Sequence, residues 1–439
     1  MIDSLGNILK VKELMKKIGF TFLILAIYRV GTTVPLPGVN AGALQAFFKG
    51  REGILGFLNM FSGGAMERLS IFALGIMPYI NASIIMSLLQ TSVPYLEKLS
   101  KEGGPGREKI TRLTRYATLV IGMVQGFGLT YWIESMKAPG GEPVLLFGGF
   151  GFRMLLVLTM LTGTMLVMWL GEQITENGIG NGISLIIFTG IVARFPAGLK
   201  NTFDLLMNEE ITFFGLLLVG SFLMAILALT VFIEEAQRRV PIQYAQRVVG
   251  RKVYGGQSTY LPLKVESSGV IAVIFAMAFM NFPLMVAQFF PETAFYEKIK
   301  IFFSPGNAVY IAFYAILIVA FCYFYTMITF DPKNIAENLK KSGGFIPGIR
   351  PGEQTANKIK EIMYRIIMIG SVFVVFIAVL PEFLRTGMHM PFYFGGTALL
   401  IIVGVAMDTM GQVESQMIMR HYDGFLKKGR LKGRYFNIK

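Results

Sequence analysis

Charge is scarce in this chain: of its 439 residues only 15% are charged, against about 25% in ordinary soluble domains, so a large solvated surface is excluded. A single cysteine, Cys322, rules out an intrachain disulfide and, lying in an apolar run, reads as a small buried hydrophobe. The two histidines, His389 and His421, form no cluster of metal ligands, and the G-x-S at Gly182 to Ser184 is a weak match with no plausible base near it. The phosphate-cradling pattern G-x-x-x-x-G-K-[ST] is missing, so any nucleotide energy has to be supplied by another protein. The expectation is a chain that is not an enzyme and takes no cofactor. No low-complexity tract, solenoid repeat or soluble domain interrupts it.

Apolar sequence is what abounds, at 54% of the residues. Runs near the ~20 residues needed to cross a bilayer recur along the length. They lie at 18–34, 74–93, 116–133, 154–170, 183–195, 213–233, 270–290, 309–328, 363–380 and 394–410. The expected fold is an all-α polytopic membrane protein of ten spans. Lys16 and Lys17 precede the first run, but no A-x-A-like cleavage site follows it, so it reads as a retained helix.

An even number of spans puts both ends on one side, and that side should carry more Lys and Arg. The N-terminus, alternate loops and tail hold 29 of the 41 basic residues, the opposite loops 10. Both termini are therefore expected in the cytoplasm, although the loop at 171–182 carries Glu172 and Glu176 and no basic residue. The net charge of +14 thus reports orientation rather than specific DNA binding. Two segments on the basic side are long, at 234–266 and 329–361, and a tail follows at 411–439. Residues 240–260 mix β-branched and aromatic side chains around Gly250, Gly255 and Gly256, which predicts a hairpin. Residues 331–341 predict a short helix closed by Gly343 and Gly344. The opposite loops read as simple connectors.

The spans lack ionisable residues near the bilayer centre, where each costs at least ~2.5 kcal/mol. Arg29 and Arg194 fall near the external ends of their spans and Asp408 near the cytoplasmic end, where each can snorkel or meet headgroups. Gln125 and Asn281 are expected to hydrogen-bond to neighbouring helices. The stretch ILGFLNMFSGGAMERL at 54–69 is apolar but too short to span, and Gly63 and Gly64 interrupt it. It is either a half-inserted stopper shielded by the bundle or an amphipathic connector on the interface. Ile76 and Ile80 share a helix face at i, i+4, and Ile183 and Ile187 repeat the spacing, which by itself means lipid-facing or core packing. An inverted-repeat permease would also show ten spans and broken helices.

Several strings carry a resemblance over nearly the whole chain: GTTVPLPGV (31–39), FSGGAMERLSIFALGIMPYI (61–80), GEQITENGIGNGIS (171–184), QRRVPIQYAQR (237–247), GIRPGEQT (348–355) and PFYFGGTALLI (391–401). Together they resemble the SecY family of protein-conducting channels. The resemblance implies two inverted five-helix halves, residues 1–200 and 201–439, around an hourglass pore with a plug helix at about 54–68. It places Phe61, Ser62, Gly63, Gly64, Ala65, Met66, Glu67 and Arg68 in the plug. It matches Ile76, Ile80, Ile183, Ile187, Ile274 and Ile401 to the pore ring, and spans two and three against seven and eight to a lateral gate. It assigns motor and ribosome docking to Arg238, Arg239, Arg247, Arg251, Lys340, Lys341 and Arg350. The partners it implies are SecE, SecG, the ATPase SecA, the ribosome, secretory preproteins and nascent chains, membrane lipid and, as a further associate, YidC, in the bacterial plasma membrane. Where the family often has proline ahead of the span-seven pore position this chain has Ala272, which questions a bend there.

Overall fold

The computed structural model describes residues 12–40, 42, 44, 62–135, 144–208, 212–244, 247–249, 252–254, 258–266, 268–287, 293–303, 307–388 and 396–428. In chain order the first half gives α1 (Lys12–Gly31), α2 (Met77–Ser92), α3 (Pro94–Lys101), α4 (Gly104–Ser135), α5 (Phe150–Asn177), α6 (Gly182–Val192) and α7 (Phe195–Met207). There follow α8 (Phe213–Glu235), β1 (Gln237–Tyr244), β2 (Arg247–Val249), β3 (Lys252–Tyr254), β4 (Ser258–Lys264), α9 (Gly269–Ala287) and α10 (Ala294–Phe302). The chain continues through α11 (Ala308–Thr329), α12 (Pro332–Lys341), β5 (Gly344–Phe345), α13 (Glu353–Met388) and α14 (Gly396–Lys428).

Each of the ten expected spans falls on one helix: α1, α2, α4, α5, α6, α8, α9, α11, α13 or α14. Their starts are chemically marked. Asn181 caps α6, Asn307 caps α11 and Asp331 caps α12 through side-chain oxygens that accept free backbone N–H groups, while proline opens the first turn of α2, α3, α7 and α12, where no amide is needed. Large apolar side chains cover the outside, as on α8, where Phe214 is 78% and Met224 66% exposed. Such a surface is stable only against hydrocarbon.

The helix packing repeats with a period of five spans. In the first half α2 packs on α4, α4 on α5, α5 on α6 and α1 on α6; in the second α9 packs on α11, α11 on α13, α13 on α14 and α8 on α14. If successive spans alternate direction, an odd period turns the second set upside down relative to the first. The halves meet through equivalent pairs, α2 with α9 and α6 with α14, and α4 also touches α9. These contacts include part of the expected gate between spans two, three and seven.

One sequence expectation needs revising. The opposite loops are not simple connectors, because they contain the helices α7 and α10. Where Ala272 put a bend in question, span seven continues as one helix through that fully buried residue, and Pro283 lies within it nearer its C-terminal end.

The expected hairpin is present as β1 paired antiparallel with β4, from Gln237 opposite Lys264 to Gln243 opposite Ser258, with β2 and β3 forming a second ladder. The helix at 331–341 is also present, followed by Gly343 at φ +73°. Asp331 accepts from Lys333 N at 2.9 Å and Asn334 N at 3.4 Å. Replacing it by alanine should weaken α12 by about 1 kcal/mol. Hydrogen exchange of the amides in its first turn should accelerate roughly fivefold, and unchanged exchange would show that the cap is not what holds this turn.

Candidate functional site

All six isoleucines singled out by resemblance lie in or against the same large apolar core of the bundle. Ile76, Ile80, Ile187, Ile274 and Ile401 belong to one buried apolar cluster, with exposures from 0 to 7%, and partly buried Ile183 packs against it. They arrive from α6, α9, α14 and the start of α2, hence from both halves. Contacts among these aliphatic side chains rest on dispersion and the exclusion of water.

Local chemistry explains why α6 presents its two isoleucines here. α5 continues to Asn177, so the connection to α6 is only residues 178–181. Ile179 N donates to Thr21 Oγ1 on α1 at 3.1 Å, Gly180 N to Gln412 Oε1 on α14 at 3.0 Å and Gly182 N to Thr175 Oγ1 at 2.9 Å. Asn181 Oδ1 then accepts from Ile183 N and Ser184 N. Every amide so held fixes the start of a helix 11 residues long, about 16 Å and half the hydrocarbon thickness. The acidic residue of this region is matched too: Glu172 takes a bidentate pair from Arg115 of α4, at 3.0 and 2.8 Å.

Against this cluster lies residues 62–76, a run of consecutive turns in which Gly63 and Gly64 have φ of +65° and +88°. Phe61 and the residues before it, where a plug helix was expected, lie outside the described residues. Ser62, Gly63, Ala65 and Met66 are buried, Gly64 is half-buried, and Glu67 and Arg68 are exposed. The segment's backbone is satisfied from the first half of the chain. Tyr28 OH donates to Ser62 O at 3.3 Å, Arg29 Nη1 to Gly63 O at 2.8 Å, Leu36 N to Leu69 O at 2.8 Å, and Ile71 N to Val34 O at 3.0 Å. Phe72 stacks on Tyr28 with centroids 5.8 Å apart. Leu69 is held at φ +40°, a conformation costing about 1–3 kcal/mol that only enclosing contacts sustain.

Arg29 and Arg194 thus do not play the headgroup role expected of them. Arg29 bonds the turns, and Arg194 pairs with Glu67 at 3.2 Å. Gln125 and Asn281 differ as well: their amide nitrogens are buried and find no hydrogen-bond partner among the described residues. Asp408 is exposed near the end of its span, as expected.

The basic segments at 234–266 and 329–361 prove to be one platform. β5 adds to the free edge of β1, Gln243 opposite Phe345 and Tyr244 opposite Gly344, giving a sheet of order β4-β1-β5. Arg238 and Arg239 on β1, Lys340 and Lys341 in the last turn of α12, and Arg350 are exposed. Arg350 follows Gly348 at φ +79°, and its carbonyl accepts from Thr355 Oγ1 at 2.9 Å. Arg247 lies on β2, whose side chains are outside the description, and Arg251 is outside the described residues altogether.

The comparisons bear on family and fold. The sequence model of the SecY family matches residues 70–410. A relative named protein translocase subunit SecY, from Pseudomonas aeruginosa, is 46% identical over 425 residues, covering 96% of this chain and 95% of its own. One of the same name from Thermus thermophilus is 44% identical over 439 residues, covering 99% and 100%. Among solved structures, one described as a protein conducting channel superposes with a TM-score of 0.67 at 18% identity, covering 95% of this chain and 94% of its own. Sec61 from a canine ribosome-channel complex of the endoplasmic reticulum gives 0.63 at 17%, with the same coverage. These two likenesses concern the fold.

Gly163 on α5 marks how closely the turns are seated: a Cβ there would lie 1.9 Å from Ile71 O. Gly163→Ala should therefore cost about 1–3 kcal/mol by overpacking, lowering the thermal unfolding temperature of the detergent-solubilised protein. An unchanged temperature would mean that α5 and the turns separate freely.

Proposed function

The chain belongs to the SecY family, and on that premise we propose that it is the channel subunit of a bacterial protein translocase, passing unfolded secretory proteins across the plasma membrane and releasing apolar segments into lipid. It is a multi-pass membrane protein, and in this reading both termini face the cytoplasm. The observation that carries it is the burial of these isoleucines, drawn from both halves, in one apolar core that a segment of turns packs against. A narrow apolar constriction conducts ions poorly because water deserts it. It also yields to a polypeptide of any sequence, since its contacts have no directional partner to lose.

In this reading residues 62–68 close the external side and are displaced by a translocating chain. The contacts of α2 and α4 with α9 open as the lateral gate, and a nascent segment leaves when its transfer free energy into lipid is favourable. The platform of β1, β5 and α12 faces the cytoplasm. Its arginines and lysines suit a partner with negative surface, ribosomal RNA above all, and the same surface receives the ATPase SecA. SecE, SecG and YidC complete the membrane assembly. The chain itself supplies a passage, and the motor is separate.

A photo-crosslinking residue at Ile187 should become joined to a secretory precursor stalled in mid-export, and only while the precursor is engaged. No adduct alongside a working control would remove the polypeptide from the pore. Arg350→Glu should reduce motor-dependent export at least tenfold while leaving the amount of folded protein unchanged. Normal export by that variant would take the motor off this surface.

A further inference from the structure

The turns at 62–69 are held by charge as well as by shape. Arg29 stands in the last turn of α1 and gives Gly63 O a charge-assisted hydrogen bond of 2.8 Å. Arg194 follows the C-terminal end of α6 and meets Glu67 at 3.2 Å, with 28% of the arginine side chain and 49% of the glutamate side chain exposed. The pair spans 127 positions of sequence and is closed by neither residue's own helix, so it forms only when the turns are seated. Arg194 is also seven residues beyond Ile187 on the same rigid element and its short continuation. Whatever displaces Ile187 displaces the cation that holds Glu67.

We propose that Glu67 and Arg194 form a latch, which together with Arg29 on the Gly63 carbonyl keeps the turns seated over the isoleucine cluster and is released when a polypeptide pushes α6 aside. This rests on the channel reading and extends it to the coupling between the constriction and the segment behind it. A half-exposed ion pair is weak, and weakness suits the task. The latch biases an idle passage toward closure without demanding work that a motor would have to repeat for each substrate. The bonds to Ser62, Gly63, Glu67, Leu69 and Ile71 described above all reach residues of the first half, 28–36 and 194. Separation of the halves at α2 and α9 therefore leaves these bonds in place, and the gate and the latch open as distinct steps.

The test is a charge exchange in native membrane vesicles holding the full chain with its companion subunits, read as the chloride permeability of idle channels. Glu67→Arg and Arg194→Glu should each raise the leak about fivefold, the loss of a pair of this class. The double variant should return it to within about twofold of the parent. Singles as tight as the parent, or a double as leaky as the singles, would overturn the latch. If reversed charges prevent assembly, Glu67→Gln keeps the shape and removes the charge: a raised leak supports the proposal and an unchanged one ends it. The Ile187 adduct formed by the otherwise unaltered chain reports on the channel reading by itself, so loss of the adduct and a silent charge exchange identify different failures.

Discussion

Every backbone N–H and C=O at membrane depth has to find a partner, because hydrocarbon offers none. Ten helices meet that constraint internally, and among the described residues two segments that fail to do so shape the architecture. The connection at 178–181 borrows Thr21 and Gln412, from the first and last spans, and thereby clamps α6 between α1 and α14. The turns at 62–76 borrow Tyr28, Arg29, Val34 and Leu36. Both borrowings point inward, and the apolar cluster sits where they converge.

Helices that satisfy their own backbones are free to slide and part, since what joins them is packing rather than hydrogen bonding. That is the property a polypeptide passage needs. Five-span sets packed in the same order meet through α2 with α9 and α6 with α14, so parting the sets separates isoleucines contributed by each. The polar work is confined elsewhere: the turn segment on one side, and on the other a sheet that unites two loops some hundred residues apart.

Much of this was readable from local chemistry. Apolar run lengths located the spans because the bilayer imposes a length. Asp331 before Pro332, and β-branched residues around paired glycines, located α12 and the hairpin because caps and turns are encoded within a few residues. Arg29 and Arg194 were read as interfacial cations, a reasonable inference from depth alone. Their partners, Gly63 and Glu67, lie 34 and 127 positions away, and no local pattern joins them. Likewise Gly163 looks like any membrane-helix glycine until Ile71 O is found against it, and the helical character of α7 was hidden by its short length between two stronger runs.

By itself the sequence determined the number of spans and the asymmetry of basic charge, since each follows from composition counted along a line. The family followed from strings that one chain carries in order. Only the tertiary structure decided that six isoleucines lie in or against one apolar core, that β5 completes the sheet of β1, and that two arginines hold the turns in place. Those facts depend on which surfaces meet, and that is set by packing among helices distant in sequence rather than by any residue's neighbours along the chain.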